Sequence, residues 1–269
     1  MIKKGVYSLQ KEQWLKKVQP QQRLLFAKVL DAAQSSMIYH KKTTTDFMDR
    51  GKSNIFFEEV KQIQYLQAMT FGGSSESERR MIAFAPDNME LTEKDFPIKA
   101  LHITKNNKFG QANLSHRDYL GSILGLGIDR AKVGDIIVLE KETICYIHED
   151  LAEYVQTALE FVSRTKVEVF VSDSFVVTLP EKVWKYHTMT VASLRLDAVA
   201  SAAFRLSRTK VQQHIKKEIV QVNWNTVINP SLLLKEGDMV SIRGFGRAKL
   251  FEIGNVTKKD RIFVTIGRE

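Results

Sequence analysis

The chain has 269 residues, 43% hydrophobic and 26% charged, with a formal net charge of +9. That size holds two or three compact units, and the balance is that of a folded globular protein rather than a disordered or fibrous one. No run reaches the ~18 consecutive apolar residues of a membrane span, and the single cysteine excludes an intrachain disulfide and a cysteine-based zinc cluster.

The opening "MIKKGVYSLQ" has basic residues with no apolar run behind them, unlike a secretion signal. A cytoplasmic protein with no membrane partner is expected. Residues 9–39 predict helices, with Leu24, Leu25, Val29, Ala32 and Ala33 at helical spacing and a break at Pro20. "HKKTTTDFMDRGKSN" is a polar loop, and 54–69 a second helical stretch with Phe56, Val60 and Ile63 on one side. "FGGSSESERR" punctuates the chain and marks a domain boundary.

Residues 80–172 change character. "RMIAFAP", "IKALHITK", "VGDIIVLE", "TICYIHE" and "VEVFVSD" read as strands, and "HRDYLGSILGL" as a helix. "EDLAEYVQTALEFVSR" is amphipathic, with Leu151, Val155, Ala158, Leu159 and Val162 on one face. Strands mixed with two helices suggest an α/β sandwich, and an RNA-recognition-like topology fits. Cys145, inside a strand pattern, reads as a small buried apolar residue. "SFVVTLPEKVWKYHTMT" reads as a linker, and two more strands close the chain.

Charge is unevenly placed: residues 190–269 hold 14 Lys+Arg against 7 Asp+Glu, whereas the rest hold 26 against 24. A localised basic surface favours polyanions, nucleic acid above all. Its centre is "RLDAVASAAFRLSRTKVQQHIKKEIVQVNW". A first helix over about 196–204 has Leu196, Val199, Ala200 and Ala203 on its apolar face. Ser207 is the N-cap of a second helix, whose buried face carries Val211 and Ile215. Arg208, Gln212 and Lys216 stack four apart beside that face, and Arg208 and Thr209 sit in the first turn, where free N–H groups favour anions. A solvated basic face on an ordinary amphipathic helix explains the helix pattern equally well.

The ordered motif extends further. Arg195-Leu196-Asp197, Ser207-Arg208, Ile215, Val220-Gln221-Val222-Asn223, Pro230-Ser231 and Gly237-Asp238 resemble the RNA-binding module first described in ribosomal small-subunit protein four. Two places where that family often has glycine hold Glu218 and Trp224. The first puts an acid near the RNA face and, at a position favouring positive φ, costs about 1 kcal/mol. Trp224 is suited to stacking on a base or, the favoured role, to capping the sheet edge. With "GGSSESERR", "SHRDYLGSILGLGIDRAKVGDI", "VNW" and "SIRGFGR", most of the chain resembles the bacterial YlmH family. The resemblance implies an α+β protein: a helical N-terminal domain over 1–78, an α/β RNA-recognition-like sandwich over 79–175, and a basic two-helix-plus-small-sheet module with C-terminal strands over 185–269. It also implies a non-enzymatic RNA-binding role on the large ribosomal subunit, beside tRNA, in ribosome-associated quality control. Arg195 and Arg208 are implied as the important arginines.

Competing chemistry is weaker. Pseudouridine synthases use Asp in a Gly-Arg-Leu-Asp motif, but here Leu194 precedes the triplet, and an acid at a helix start suits Asp197. Gly121, Gly125 and Gly127 lie in or after a helix, which favours packing or a C-cap over a phosphate loop. His116, Arg117 and Asp118 diverge around a helix, with Asp118 in its first turn after Ser115. The six histidines show no metal-ligand spacing, and His214 is placed to add charge or stacking at the RNA face. "SIRGFGRAK" is either a basic loop touching RNA or a hairpin turn.

The expectation is RNA contact through Arg195, Arg205, Ser207, Arg208, Thr209, Gln212, Lys216, Lys217, Arg243 and Arg247, with no cofactor, no metal and no catalytic residue. Two alternatives stand beside it. One is an RNA-modifying enzyme anchored by the basic module. The other makes the N-terminal helices a platform for cell-division or translation proteins.

Overall fold

The computed structural model describes residues 11–105, 113–173 and 184–269; the basic opening and the first part of the expected linker lie outside them. The chain forms two units, Met1–Leu179 and Pro180–Glu269.

The first unit begins with α1 (Lys11–Leu15) and α2 (Arg23–Tyr39), separated by a 3-10 turn that starts at Pro20. The buried stripe of α2 is Phe26, Val29, Leu30, Ala33 and Met37, whereas Leu24 is 79% exposed. The helix is thus rotated from the face its leucines suggest. The cause is aromatic: Phe26 stacks on Phe56, ring centroids 4.9 Å apart, and burying two rings outweighs exposing one leucine. The polar loop after α2 contains β1 (Thr43–Thr44) and β2 (Met48–Asp49), and α3 runs only over Arg50–Val60. The rest of the expected second helix is a turn over 61–65 followed by β3 (Leu66–Phe71), which is antiparallel to β4 (Arg79–Pro86) along its length. β4 also pairs with β1 and β2. Its backbone groups, grouped by sequence with the middle part, are therefore satisfied by strands that precede it.

Next come β5 (Ile98–Lys105), α4 (His116–Gly125), β6 (Val133–Val138), β7 (Glu142–His148), α5 (Glu149–Ala158), the short β8 (Phe161–Val162) and β9 (Thr165–Ser172). The sheet order is β6-β7-β5-β9-β8, every neighbour antiparallel. Leaving β8 aside, a βαββαβ chain with order 2-3-1-4 has the RNA-recognition-like topology. α4 starts at a capping box, Ser115 N–H and hydroxyl both donating to Asp118 Oδ2 at 2.8 and 2.7 Å. Cys145 is buried, which pushes its thiol up to about 12 and keeps it neutral at neutral pH.

The Gly-Ser stretch is a built joint. Asp135 accepts the N–H groups of Glu78 and Arg79 at 2.7 and 3.0 Å. The Arg79 guanidinium donates to the carbonyls of Val133, Phe47 and Arg130. Behind the joint, Phe47, Phe71, Met81 and Ala83 share one core with Ile98, Ala100, Ile144 and Tyr146. Gly73 has φ 99°, and a Cβ there would lie 2.5 Å from the Tyr146 ring.

The second unit holds β10 (Lys185–Val191), α6 (Leu196–Phe204), α7 (Arg208–Lys216), β11 (Val220–Val222), β12 (Asn225–Thr226), β13 (Met239–Ile242), β14 (Gly246–Val256) and β15 (Ile262–Arg268). They form one antiparallel sheet, β10-β15-β14-β13-β11-β12, with α6 and α7 packed on one face over Val220, Val240, Ile242, Ala248, Leu250, Val264 and Ile266. Residues 185–190, expected in a linker, are instead part of the edge strand β10, paired with β15.

The Gly73→Ala variant is expected to lose about 2–4 kcal/mol of stability, from overpacking against Tyr146 and a left-handed backbone at a residue with a Cβ. Urea denaturation measures it.

Candidate nucleic-acid interface

The pair α6–α7 is short because its link is tight. Arg205 closes α6 in the left-handed region, φ 53°, its N–H donating to Ser201 O, and the Ser201 hydroxyl donates to Leu206 O at 2.6 Å. Ser207 caps α7, its hydroxyl accepting the Lys210 N–H at 3.2 Å. Val211 and Ile215 are buried as the spacing requires.

The triplet Arg195-Leu196-Asp197 is fixed from outside the helix. The N–H groups of Leu196 and Asp197 donate to Leu232 O and Pro230 O, at 2.7 and 3.1 Å, and Leu234 N–H donates to Leu194 O. The Pro-Ser segment is thus a strap that satisfies the free donors at the start of α6. The Asn and Gly-Asp elements of the motif lock one another in the same way. Asn223 Nδ2 donates to Asp238 Oδ1 at 2.8 Å, and Asn223 Oδ1 accepts the Met239 N–H at 2.9 Å. Glu218 and Trp224 take φ 56° and 66°, the left-handed conformation expected where glycine is usual.

At the centre lies Asp197, with no exposed surface. Its Oδ1 accepts from Arg195 Nε at 3.1 Å. Its Oδ2 accepts from Arg195 Nη2 at 3.2 Å, Arg208 Nη2 at 2.9 Å and Gln212 Nε2 at 2.8 Å. Burial alone raises a carboxyl, but the three donors overcome it and hold Asp197 down at about 2. The arginine side chains stay 37% and 47% exposed. One carboxylate offsets one of two guanidinium charges, so the pair keeps a net positive charge and donors that do not face Asp197.

The structure therefore brings Arg195, Arg208 and Gln212 together on one hub. Ser207 acts as a cap, while Arg205, Thr209, Lys216 and Lys217 are exposed nearby in the chain. Arg243 and Arg247 are set apart. The β13–β14 register puts Arg247 opposite Ser241, between residues that face the core, so both arginines lie on the sheet face away from α6 and α7. The loop between them is a hairpin turn with Gly244 and Gly246 at positive φ, and Phe245 packs on the His214 ring at 5.3 Å. His214 thereby leaves the outer face: its ring nitrogens are buried without a hydrogen-bond partner. Sequence reasoning treated Asp197 as a helix-dipole acid. The signal for its hub role was an acid two residues after Arg195, facing an Arg and a Gln one turn apart.

In the first unit, the sheet face opposite α4 and α5 is the one on which RNA-recognition modules stack bases from their central strands. Here those strands are β5 and β7, and their Ala100, Ile144 and Tyr146 are covered by the N-terminal core. The cover stops at His102, whose Nδ1 pairs with Glu142 at 2.9 Å, and at Phe170, 67% exposed.

Because the Asp197 carboxyl is lowered by folding, its contribution to stability is complete above about pH 4 and is lost as pH falls through about 2. Acid unfolding of wild type is expected to steepen in that window, and Asp197→Asn to remove the steepening. Asp197→Ala is expected to cost about 2–4 kcal/mol at neutral pH.

Comparison with known proteins agrees with this geometry. Residues 92–174 match the family described as a putative RNA-binding domain in YlmH, and residues 194–240 match the S4 domain. The chain is 34% identical over 230 residues to the ribosome-associated protein quality control protein P2 of Bacillus subtilis (strain 168), covering 86% of this chain and 88% of that one. The structure of the cell division protein YlmH from Streptococcus pneumoniae aligns with 61% of this chain and 97% of its own, at TM-score 0.51 and 22% identity, a likeness of fold. With a relative of that identity matched over nearly its whole length, the chain belongs to the YlmH family.

Proposed function

We propose that this protein binds structured RNA without catalysing a reaction, and that its target is ribosomal RNA with tRNA nearby on the large ribosomal subunit, in ribosome-associated quality control. The observation that carries the reading is the Asp197 hub. It presents two guanidinium forks with fixed orientation beside Arg205, Lys216 and Lys217. A guanidinium already anchored on one side loses little freedom when its outer donors meet a phosphate. The ribosome-linked name of the Bacillus subtilis relative supports the choice of target.

The division of labour follows. The base-stacking face of the first unit is largely occupied by protein, so the C-terminal unit is the principal RNA contact and the first unit's residual contribution centres on Phe170. No clustering of nucleophile and base favours the modifying-enzyme alternative among the described residues: the thiol of Cys145 is buried, and His116 and Asp118 sit at a capped helix start.

Titration of wild type and Arg208→Ala with ribosomal RNA over a salt series tests this. The variant is expected to bind about tenfold more weakly, with a salt slope smaller by about one unit. Unchanged affinity and slope would remove Arg208 from the interface. Co-sedimentation with separated ribosomal subunits reads the target: recovery with the small subunit alone contradicts the proposal.

A further inference from the structure

The strap over Pro230–Leu234 does more than satisfy the start of α6. Its leucines alternate as an extended segment requires: Leu232 and Leu234 pack on the core of the unit, and Leu233 points outward, 65% exposed. Leu233 is held in that direction. It faces Arg195 in an antiparallel bridge, flanked on one side by Leu196 N–H donating to Leu232 O at 2.7 Å and on the other by Leu234 N–H donating to Leu194 O at 2.9 Å. The two bonds bracket the Arg195–Leu233 pair and do not join it. In such a non-hydrogen-bonded pair the Cα atoms lie about 4.5 Å apart and the two side chains stand next to each other on one side. The arginine anchored on Asp197 thus has a leucine fixed at its shoulder.

The fold gains nothing from an apolar group at this position. The strap's structural work is done by the carbonyls of Pro230 and Leu232 and by the buried Leu234. Single exposed leucines are common on protein surfaces. This one belongs to the surface that presents Arg195 and Arg208, and the backbone bonds that set the start of α6 also set its direction. Phosphates answer guanidiniums. A leucine beside them answers what lies next to each phosphate along an RNA strand: the ribose and the base, which RNA leaves accessible in its wide, shallow minor groove and in unpaired loops.

We propose that Leu233 is an apolar RNA contact, packing on the ribose and base of the nucleotide whose phosphate Arg195 holds. Arg195 supplies an attraction that salt weakens, and Leu233 supplies buried apolar area that salt leaves in place. The rigid spacing of the pair matches a phosphate and the sugar next to it, so the leucine tests the shape of the strand where the arginine tests only its charge. The inference rests on the RNA-binding reading and adds a non-ionic component to it. The two fail separately, because the leucine can drop out while the arginines still bind.

The test titrates the full chain with protein-free ribosomal RNA over a potassium chloride series and records the thermal midpoint of each variant. Leu233→Ala is expected to bind about fivefold more weakly at every salt concentration, with the salt slope and the thermal midpoint in place. Leu233→Met, which keeps the apolar reach, is expected to retain wild-type affinity. Arg208→Ala behaves differently: its loss narrows as salt rises. Wild-type affinity in Leu233→Ala overturns the contact and leaves the RNA-binding reading standing. A smaller salt slope in Leu233→Ala overturns it as well, since the leucine then acts by holding Arg195. A loss seen with intact ribosomal subunits but not with protein-free RNA also overturns it and assigns the leucine to a protein neighbour. Failure of wild type to bind protein-free RNA at low salt overturns both inferences.

Discussion

A carboxylate buried without exposed surface is tolerable only when its charge is answered, and Asp197 is answered three times, by Arg195, Arg208 and Gln212. That requirement organises the C-terminal unit. It fixes how the start of α6 lies against α7, because the three donors come from both helices. It explains why the link between them is only three residues, Arg205 to Ser207: a longer one would let the second helix slide and strand the acid. It also explains the strap at Pro230–Leu234, whose carbonyls take up the backbone donors of Leu196 and Asp197 so that the side-chain oxygens remain free for the arginines. The same interaction that holds the helices together aims the positive groups, so stability and recognition are not separable at this site.

The sequence made the second unit more legible than the first. Much of its motif is local: Ser207 caps and Val211 and Ile215 face inward, so spacing along the chain translates into contact, while Asn223 meets Asp238 at the end of the β11–β13 pair. Glu218 could be assigned left-handed backbone from motif position alone. The role of Asp197 was not legible, since the length of the link decides which way Arg208 and Gln212 face. The first unit depends on distant contacts. The rotation of α2 follows from Phe26 meeting Phe56, and the strand at 66–71 follows from the presence of β4, neither of which periodicity within a short window can show. Residues 185–190 likewise became a strand because β15, some 75 residues later, offers an edge.

The two sheets are put to different use. In the first unit, the face that RNA-recognition modules leave open is closed by the N-terminal aromatic and aliphatic side chains. In the second, the helices cover one face, and on the other the β11–β14 side remains polar and carries Arg243 and Arg247. Charge follows the open surface: most of the excess positive charge lies in residues 190–269.

The shared core of Phe47, Phe71 and Met81 with Ile144 and Tyr146 has a consequence for how the molecule divides. The segment 92–174, which matches the putative RNA-binding domain in YlmH, lacks the Phe47, Phe71, Met81 and Ala83 side chains that shield one face of its sheet. Cut out at those limits, it would show water a broad oily flank centred on Tyr146 and would stick to itself. The stretch 47–83 thus acts as the lid of the middle sheet.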